Sequence, residues 1–303
     1  MNKKTIVTLA DSNYFELLME LIASIKKFPQ SKDISICVLD AGLTEEQVKE
    51  IEKEVYCVKK AKWDIDVPKY KTLGKEWLKS QVSRAFLPNY FPEFEKYLWI
   101  DCDAWVNSWN TIELYFRACE KNRLGITQTM GPGYRVMSKV NWLFGKYAAI
   151  KSQNYKHAKL SGLSEKIARK IAFAPHLNIG VFSLEKTSPC WALWQRNLKT
   201  TLAGGKIFGS EGLAINISVY LDNAPTEFLP LYCNWIPSNL LPKYDKQKTT
   251  FVEPNLPNYE IGIMHLAAGI WSEGNDMRVN KDLKIEIVTL DDEVVLKSLR
   301  FNK

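Results

Sequence analysis

The segment Lys96-Tyr97-Leu98-Trp99-Ile100-Asp101-Cys102-Asp103 constrains the fold more than any other stretch of the chain. Tyr97 to Ile100 is a short, mostly apolar run that reads as a buried strand, and it leads directly into two carboxylates spaced i and i+2. At a strand's end the backbone is still extended, so such a pair can converge on one hard cation. Ligands of α/β proteins bind outside the carboxyl ends of the sheet's strands, which is where this pair falls. Asp-x-Asp alone carries little, because a chain of 303 residues should hold about one by chance. The strand in front of it carries the weight.

The residues before it alternate. Ile6 to Ala10 is a short apolar run, and apolar residues at 15, 17, 18, 21, 22 and 25 then follow a helical spacing over Tyr14 to Lys27. Ile34 to Leu39 reads as a second strand. Thr44-Glu45-Glu46-Gln47 is a capping box opening a charged helix to about Val55. A third strand is expected near Tyr56 to Trp63 and a helix over Trp77 to Phe91. This rhythm predicts an α/β fold with a doubly wound, mostly parallel sheet. No GxGxxG follows the first strand, which argues against a dehydrogenase-type dinucleotide site. Beyond Asp103 strands are expected at Leu124 to Thr129, Leu177 to Leu184 and Ile261 to His265. Helices are expected near 189–203 and 211–221, proline-rich turns over 225–257, and an irregular tail. One domain, 1–275, with a C-terminal extension, 276–303, accounts for this order.

Composition sets outer bounds. With 46% hydrophobic and 25% charged residues the chain is an ordinary globular protein. The net charge of +7 is unevenly placed: residues 134–170 hold nine Lys/Arg against one acid, Glu165. That window, interleaved with aromatics, reads as solvated surface, as a site for an anionic acceptor, or as a contact with an anionic membrane. No nucleic-acid module is recognisable. The six cysteines form no CxxC pair and do not cluster with the three histidines, so neither a disulfide framework nor a zinc knuckle is indicated. No apolar stretch approaches membrane-spanning length, and a cytoplasmic location, peripheral at most to the inner membrane face, is expected.

Set in this order of elements, the Asp101/Asp103 pair makes the chain resemble glycosyltransferase family 8. That family comprises retaining, nucleotide-sugar-dependent enzymes of the GT-A fold, with a Rossmann-like nucleotide-binding half, and includes glycogenin and lipopolysaccharide galactosyl- and glucosyltransferases. The resemblance runs over roughly residues 5–270 as a series of motifs. The loop Ala10-Asp11-Ser12-Asn13-Tyr14 matches the family's nucleoside loop. It implies that Ala10, Asp11, Asn13 and Tyr14 lie at the nucleoside, with Asp11 on the uracil edge and Tyr14 stacked on the ring. Arg84, in Arg84-Ala85-Phe86-Leu87-Pro88-Asn89-Tyr90-Phe91-Pro92, stands where the family places a diphosphate-binding arginine, with Lys79 a weaker candidate. Asp101 and Asp103, with Cys102 between them, would contact the donor, and the two carboxylates would bind Mn²⁺ or Mg²⁺. In Leu177-Asn178-Ile179-Gly180-Val181, Asn178 would contact the donor sugar while Gly180 lets the backbone pass close beneath it.

Two motifs depart from the family. Gly209-Ser210-Glu211-Gly212-Leu213-Ala214-Ile215-Asn216 occupies the place of an Asp-Gln-Asp-x-x-Asn run, with Glu211 at the first Asp and Gly212 where the Gln should be. Glu211 could orient hydroxyls, act as a general base and make the enzyme inverting, or only complement a helix dipole. Met264-His265-Leu266-Ala267-Ala268-Gly269-Ile270-Trp271 resembles His-x-x-Gly-x-x-Lys-Pro-Trp. His265 would be the third metal ligand, Gly falls one residue late, and the Lys is missing unless Arg278 replaces it. The resemblance implies a metal-dependent transferase moving a hexose from a UDP-sugar to a glycan or glycolipid hydroxyl, as in lipopolysaccharide or polysaccharide synthesis, with retention. The alternative is a non-catalytic relative that binds a carbohydrate or nucleotide sugar through a degenerate site. A nucleotidylyltransferase would need a Gly-rich basic loop after the first strand, and the Ala10–Tyr14 loop is the wrong chemistry.

Overall fold

The computed structural model of the protein describes residues 3–134, 138–204, 206–272 and 274–302. Arg135 of the basic window and Lys303 of the tail lie outside them. In chain order the strands of the first half are β1 (Lys4–Ala10), β2 (Ser35–Asp40), β3 (Cys57–Lys60), β4 (Lys96–Ile100), β5 (Ala104–Val106), β6 (Leu124–Gln128), β7 (Ser138–Leu143) and β8 (Tyr147–Ser152). They are followed by β9 (Leu177–Glu185), β10 (Thr226–Leu229), β11 (Lys243–Asp245), β12 (Thr250–Val252), β13 (Ile263–His265), β14 (Trp271–Ser272), β15 (Asn275–Asp276), β16 (Ile285–Val288) and β17 (Val294–Lys297).

Seven strands form the central sheet in the order β10-β6-β9-β4-β1-β2-β3. β1 pairs in parallel with β2 and β4, β2 with β3, and β6 with β10, while β9 runs antiparallel between β4 and β6. The expected doubly wound, mostly parallel sheet is therefore present.

β4 shows why the apolar run had to be a central strand. Its side chains alternate between two cores. Tyr97 and Trp99 enter one, with Trp99 stacked on Phe182 at 6.4 Å between ring centroids. Leu98 and Ile100 enter the other, beneath the helix Phe15–Lys26. The first core is closed by the helices Cys190–Gly204 and Ser210–Tyr220. Ser210 to Val219 is buried on every side, the condition of a helix sandwiched inside a layer.

Several expectations shift. The helix over Trp77 to Phe91 is instead a chain of short turns: Glu76–Lys79, Ser80–Ser83, Arg84–Phe86 and Leu87–Tyr90. Pro88 cannot donate a helical hydrogen bond, and Phe86 leaves helical geometry just before it (φ −121°, ψ 17°). The 225–257 region holds β10 to β12 as well as turns. The tail is ordered: β16 and β17 form a hairpin, and the strand's continuation packs back onto the domain. Trp105 Nε1 donates to the Leu299 carbonyl at 2.7 Å, and the buried Arg300 guanidinium is held by Glu20 at 2.5 Å. Lys297 lies over the Tyr244 ring at 4.1 Å. Arg300 is buried in the fold, and half-buried Lys297 rests on the Tyr244 ring.

Candidate functional site

Where β4 ends, the chain turns through Asp101-Cys102-Asp103 and leaves the sheet as β5, which pairs antiparallel with β13. The register sets His265 opposite Ala104, and the Leu266 amide donates to the Asp103 carbonyl at 2.9 Å. A sheet edge and a two-stranded ribbon thus bring residues far apart in sequence to one point. His265 Nε2 lies 3.3 Å from Asp103 Oδ1 and 3.8 Å from Asp101 Oδ2. One ligand atom from each of the three residues falls within 4.8 Å of the others.

The surroundings orient this set. Asp101 Oδ1 accepts from Trp99 Nε1 at 2.8 Å and from Arg84 at 2.7 Å, which leaves Oδ2 for the centre. On the far side His265 Nδ1 is 3.0 Å from Asn234 Oδ1. An Nδ1–H donated to that oxygen directs the Nε2 lone pair at the two carboxylates. Three electron-rich groups facing one another call for a cation or a proton among them. Burial works against charge on His265, but Asp103 and Asp101 outweigh it and hold the imidazole above its ordinary range. Two carboxylate oxygens and one imidazole nitrogen are suitable ligands for Mn²⁺ or Mg²⁺, so the residues fit the expected ion.

Gly180 is what lets the three meet. A Cβ there would lie 2.2 Å from His265 Cε1, 2.7 Å from Asp101 Oδ2 and 2.9 Å from Asn178 Oδ1. The close approach that its Asn-x-Gly strand requires is to these side chains of the protein itself.

These groups line a cleft of about 540 Å³. One wall is the β1 loop. Asp11 Oδ1 caps the turn Ser12–Tyr14, accepting from the Asn13 amide at 3.0 Å and the Tyr14 amide at 3.2 Å. Ala10, Asp11, Asn13, Tyr14 and Cys102 all line the cleft, as do Asn178 and Arg278. Arg278 is paired with Asp276 at 2.7 Å and reaches to 3.9 Å from Asp103. Arg84 sits on the floor with its two terminal nitrogens engaged by Asp101 and Glu211, under Trp99 at 4.9 Å. It anchors Asp101 from within the cleft lining, and its Nε has no partner among the described residues. Lys79 is paired with Glu76 at 2.7 Å.

Glu211 lies behind Arg84, wholly buried, with Oε2 at 3.2 Å from the guanidinium and Oε1 without a partner among the described residues. Burial pushes its carboxyl up to about 8 against the pull of Arg84, and the charge of Asp101 adds to the rise. Gly212, one residue on, is what faces the cleft.

Sequence reasoning missed His157 and His176, which line the cleft together. Gly209 opens the helix Ser210–Tyr220 in the left-handed region (φ 89°), and a Cβ there would lie 2.8 Å from His157 Cε1. His176 Nδ1 is 2.8 Å from Asn154 Oδ1, and burial, reinforced by nearby His157, lowers it to about 4. Asn154 Nδ2 donates to the Ala174 carbonyl at 3.0 Å and to Asn216 Oδ1 at 3.4 Å. That fixes the amide's orientation, so His176 is the donor to Asn154 and its Nε2 is a bare acceptor. The pattern Asn154…His176…Asn216 could have been noticed, but its spacing belongs to no motif. Asn234 had no sequence signal.

A mostly parallel sheet with one reversed strand beside the Asp-x-Asp turn is the GT-A architecture. The chain belongs to the Glycosyl transferase family 8, whose model matches residues 5–166. Comparison with curated proteins finds no significant sequence match. Among solved structures the fold is similar to the galactosyltransferase LgtC, determined with donor and acceptor sugar analogues. That likeness has a TM-score of 0.52 and 15% identity over 87% of each chain. The bifunctional glycosyltransferase WbbM is similar at TM-score 0.54 and 15% identity, over 91% of this chain and 48% of that one. GlyE of Streptococcus pneumoniae matches at 0.50 and 13%, over 90% of this chain and 56% of that one.

Proposed function

We propose that the protein is a metal-dependent hexosyltransferase that moves a hexose from a UDP-sugar to a hydroxyl of a glycan or glycolipid acceptor, with retention of configuration. The observation that carries this reading is the convergence of Asp101, Asp103 and His265 on the floor of a cleft whose wall is the Ala10–Tyr14 loop. Asp101, Asp103 and His265 would hold Mn²⁺ or Mg²⁺, which when bound neutralises charge developing on the diphosphate leaving group. Tyr14 offers a ring face to the base, and Asp11, whose Oδ1 is committed to the turn, offers the base edge its Oδ2, which accepts a long hydrogen bond from Asn13 Nδ2 at 3.4 Å. Arg84 fixes Asp101, and Arg278 brings the cation that a family lysine would supply. Asn178 Oδ1 accepts from the Gly180 amide at 2.7 Å, which turns its NH₂ outward as a donor for a sugar hydroxyl.

Retention is favoured by what the cleft presents. Among its described lining residues the carboxylates are Asp11, Asp101 and Asp103. All three lie on the nucleotide and metal side. Glu211, buried behind Arg84, is better placed to hold that guanidinium than to deprotonate an acceptor. The departing diphosphate is then the base that takes the acceptor's proton.

The second reading, a non-catalytic relative, draws on Gly212 and the missing lysine. A screen of UDP- and GDP-sugars for metal-dependent hydrolysis separates the two. UDP release that requires Mn²⁺ or Mg²⁺ is expected. Binding of UDP without turnover of any sugar would favour the second reading, and turnover unaffected by EDTA would refute the metal set.

A further inference from the structure

Among the described residues, no side chain of the β7–β8 hairpin belongs to a hydrophobic core cluster. The hairpin's strands pair with each other from Ser138↔Ser152 to Leu143↔Tyr147 and, among the described residues, with no other strand. Trp142 is 70% exposed, Tyr147 68% and Phe144 93%. An isolated two-stranded hairpin in water is marginal, and one that exposes large apolar rings is poorly suited to remain without a partner.

The turn adds a sharper observation. Phe144 and Gly145 both have positive φ, 53° and 69°, and the Lys146 amide donates to the Leu143 carbonyl at 3.1 Å. Asn, Asp or Gly adopts the first of those positions with little strain, whereas a bulky side chain is an outlier there. The chain thus holds an aromatic ring at the outermost point of the hairpin against the turn's own preference.

Charge identifies the occupant. Lys139, Lys146 and Lys151 lie on the hairpin, and no acid occurs between Glu120 and Glu165. Trp and Tyr favour the interfacial layer of a bilayer, and lysine stems can lie along apolar surface while their ammonium groups reach headgroups. Two copies meeting tip to tip would instead bring like charges together.

We propose that the β7–β8 hairpin docks the protein on a bilayer containing anionic lipid, inserting Trp142 and Phe144 among the headgroups, with Lys146 at the tip and the cross-strand pair Lys139 and Lys151 nearer the hairpin's base. Position gives the contact a use. Ser152 ends β8 and caps the helix Gln153–Leu160, accepting from the Tyr155 amide at 3.0 Å, and Gln153 and His157 of that helix line the cleft. A membrane engaged by the hairpin would lie beside the cleft wall, where a hydroxyl carried on a lipid could enter.

The test is co-sedimentation of the full chain with phosphatidylcholine vesicles, with and without phosphatidylglycerol, at low and moderate salt. Wild type should bind the anionic vesicles preferentially and less well as salt rises. Trp142→Ser with Phe144→Ser should weaken binding at least about tenfold, since two exposed rings lose their burial. Replacing Lys139, Lys146 and Lys151 by Ser should remove most of the preference for anionic lipid, at about fivefold per lysine at most. Each variant should keep the wild-type melting temperature and Mn²⁺-dependent UDP binding, so the outcome is independent of the catalytic reading. Equal binding to both vesicle types, no binding by wild type, or full binding by the double variant would overturn the proposal. So would a concentration-dependent dimer in sedimentation velocity that the double variant abolishes.

Discussion

Gly180→Ala is the most discriminating single change the site offers. Gly180 lies outside the left-handed region, so alanine fits its backbone without strain and the effect is steric alone. Non-bonded carbons approach to about 3.5 Å. A methyl placed 2.2 Å from His265 Cε1 must therefore displace the imidazole or β9 by about 1.3 Å. Asp101 Oδ2 at 2.7 Å and Asn178 Oδ1 at 2.9 Å prevent an easy escape to either side. A misplacement of about 1 Å can cost about 100-fold in rate, and altered orientation of a ligand about 10–100-fold in metal affinity. Overpacking adds a loss of about 1–3 kcal/mol in stability. Gly125→Ala is the matched control: its Cβ would meet Ser183 Oγ at 2.3 Å and Ala118 Cβ at 2.8 Å, in the core and away from the cleft. Calorimetric titration of Mn²⁺-dependent UDP binding, beside thermal melts of both variants, separates site from core. Gly180→Ala should lose metal-dependent binding, and Gly125→Ala should lose only stability. Wild-type metal-dependent binding in Gly180→Ala would refute the assignment of Asp101 and His265 to one centre.

Asp103→Ala should abolish turnover and weaken Mn²⁺-dependent UDP binding at least about 100-fold while circular dichroism remains native; full activity in EDTA would contradict this. Glu211→Gln keeps a hydrogen-bonding group behind Arg84, so kcat at pH 7 should fall less than about tenfold, with the product anomer by NMR unchanged. A loss of about 10²–10⁴-fold would restore the general-base role. The same variant should remove a fall in stability that runs from about pH 4.5 to about pH 8. Glu211 is raised to about 8 in the folded chain, so its contribution is fully present below the ordinary carboxylate range and is lost as pH rises through 8. His176, lowered from 6.5 to about 4, has the opposite sign. Between those values the unfolded chain binds a proton that the folded chain does not, so stability falls as pH drops, by at most about 1.4 kcal/mol per pH unit. Urea denaturation across that range should show a shallower slope for His176→Gln than for wild type.

The sheet and much of the cleft floor were legible in the sequence because local signals and tertiary placement agree there. Tyr97 to Ile100 had the composition of a strand buried on both faces, and its carboxyl end could lie only at the sheet's ligand edge. His265 was recognisable because a short apolar strand precedes it, although the β5–β13 ribbon that aims it could not be seen from three-residue strands. Arg84 was found for its residue type but not for its posture, since its ion pairs reach to Asp101 and Glu211 across the fold. His157, His176, Asn154 and Asn234 were not recovered, because their network crosses elements with no fixed spacing. The apolar periodicity of Trp77 to Phe91 spans Pro88, and the backbone leaves helical geometry at Phe86, so one periodic stretch becomes several short turns. Trp142 and Phe144 have no sequence signal that separates them from buried aromatics, and only the hairpin leaves them exposed.

The β5–β13 ribbon also sets an order of events in time. Roughly 160 residues separate Asp103 from His265, and at about 5–20 residues per second a ribosome needs on the order of 10–30 s to add them. Through that interval the nascent chain carries Asp101 and Asp103 without their histidine, and β5 without its neighbour. The carboxylate pair is made first, and the third ligand arrives only with β13. A cation held by all three residues would therefore mark molecules whose late segment has reached its place.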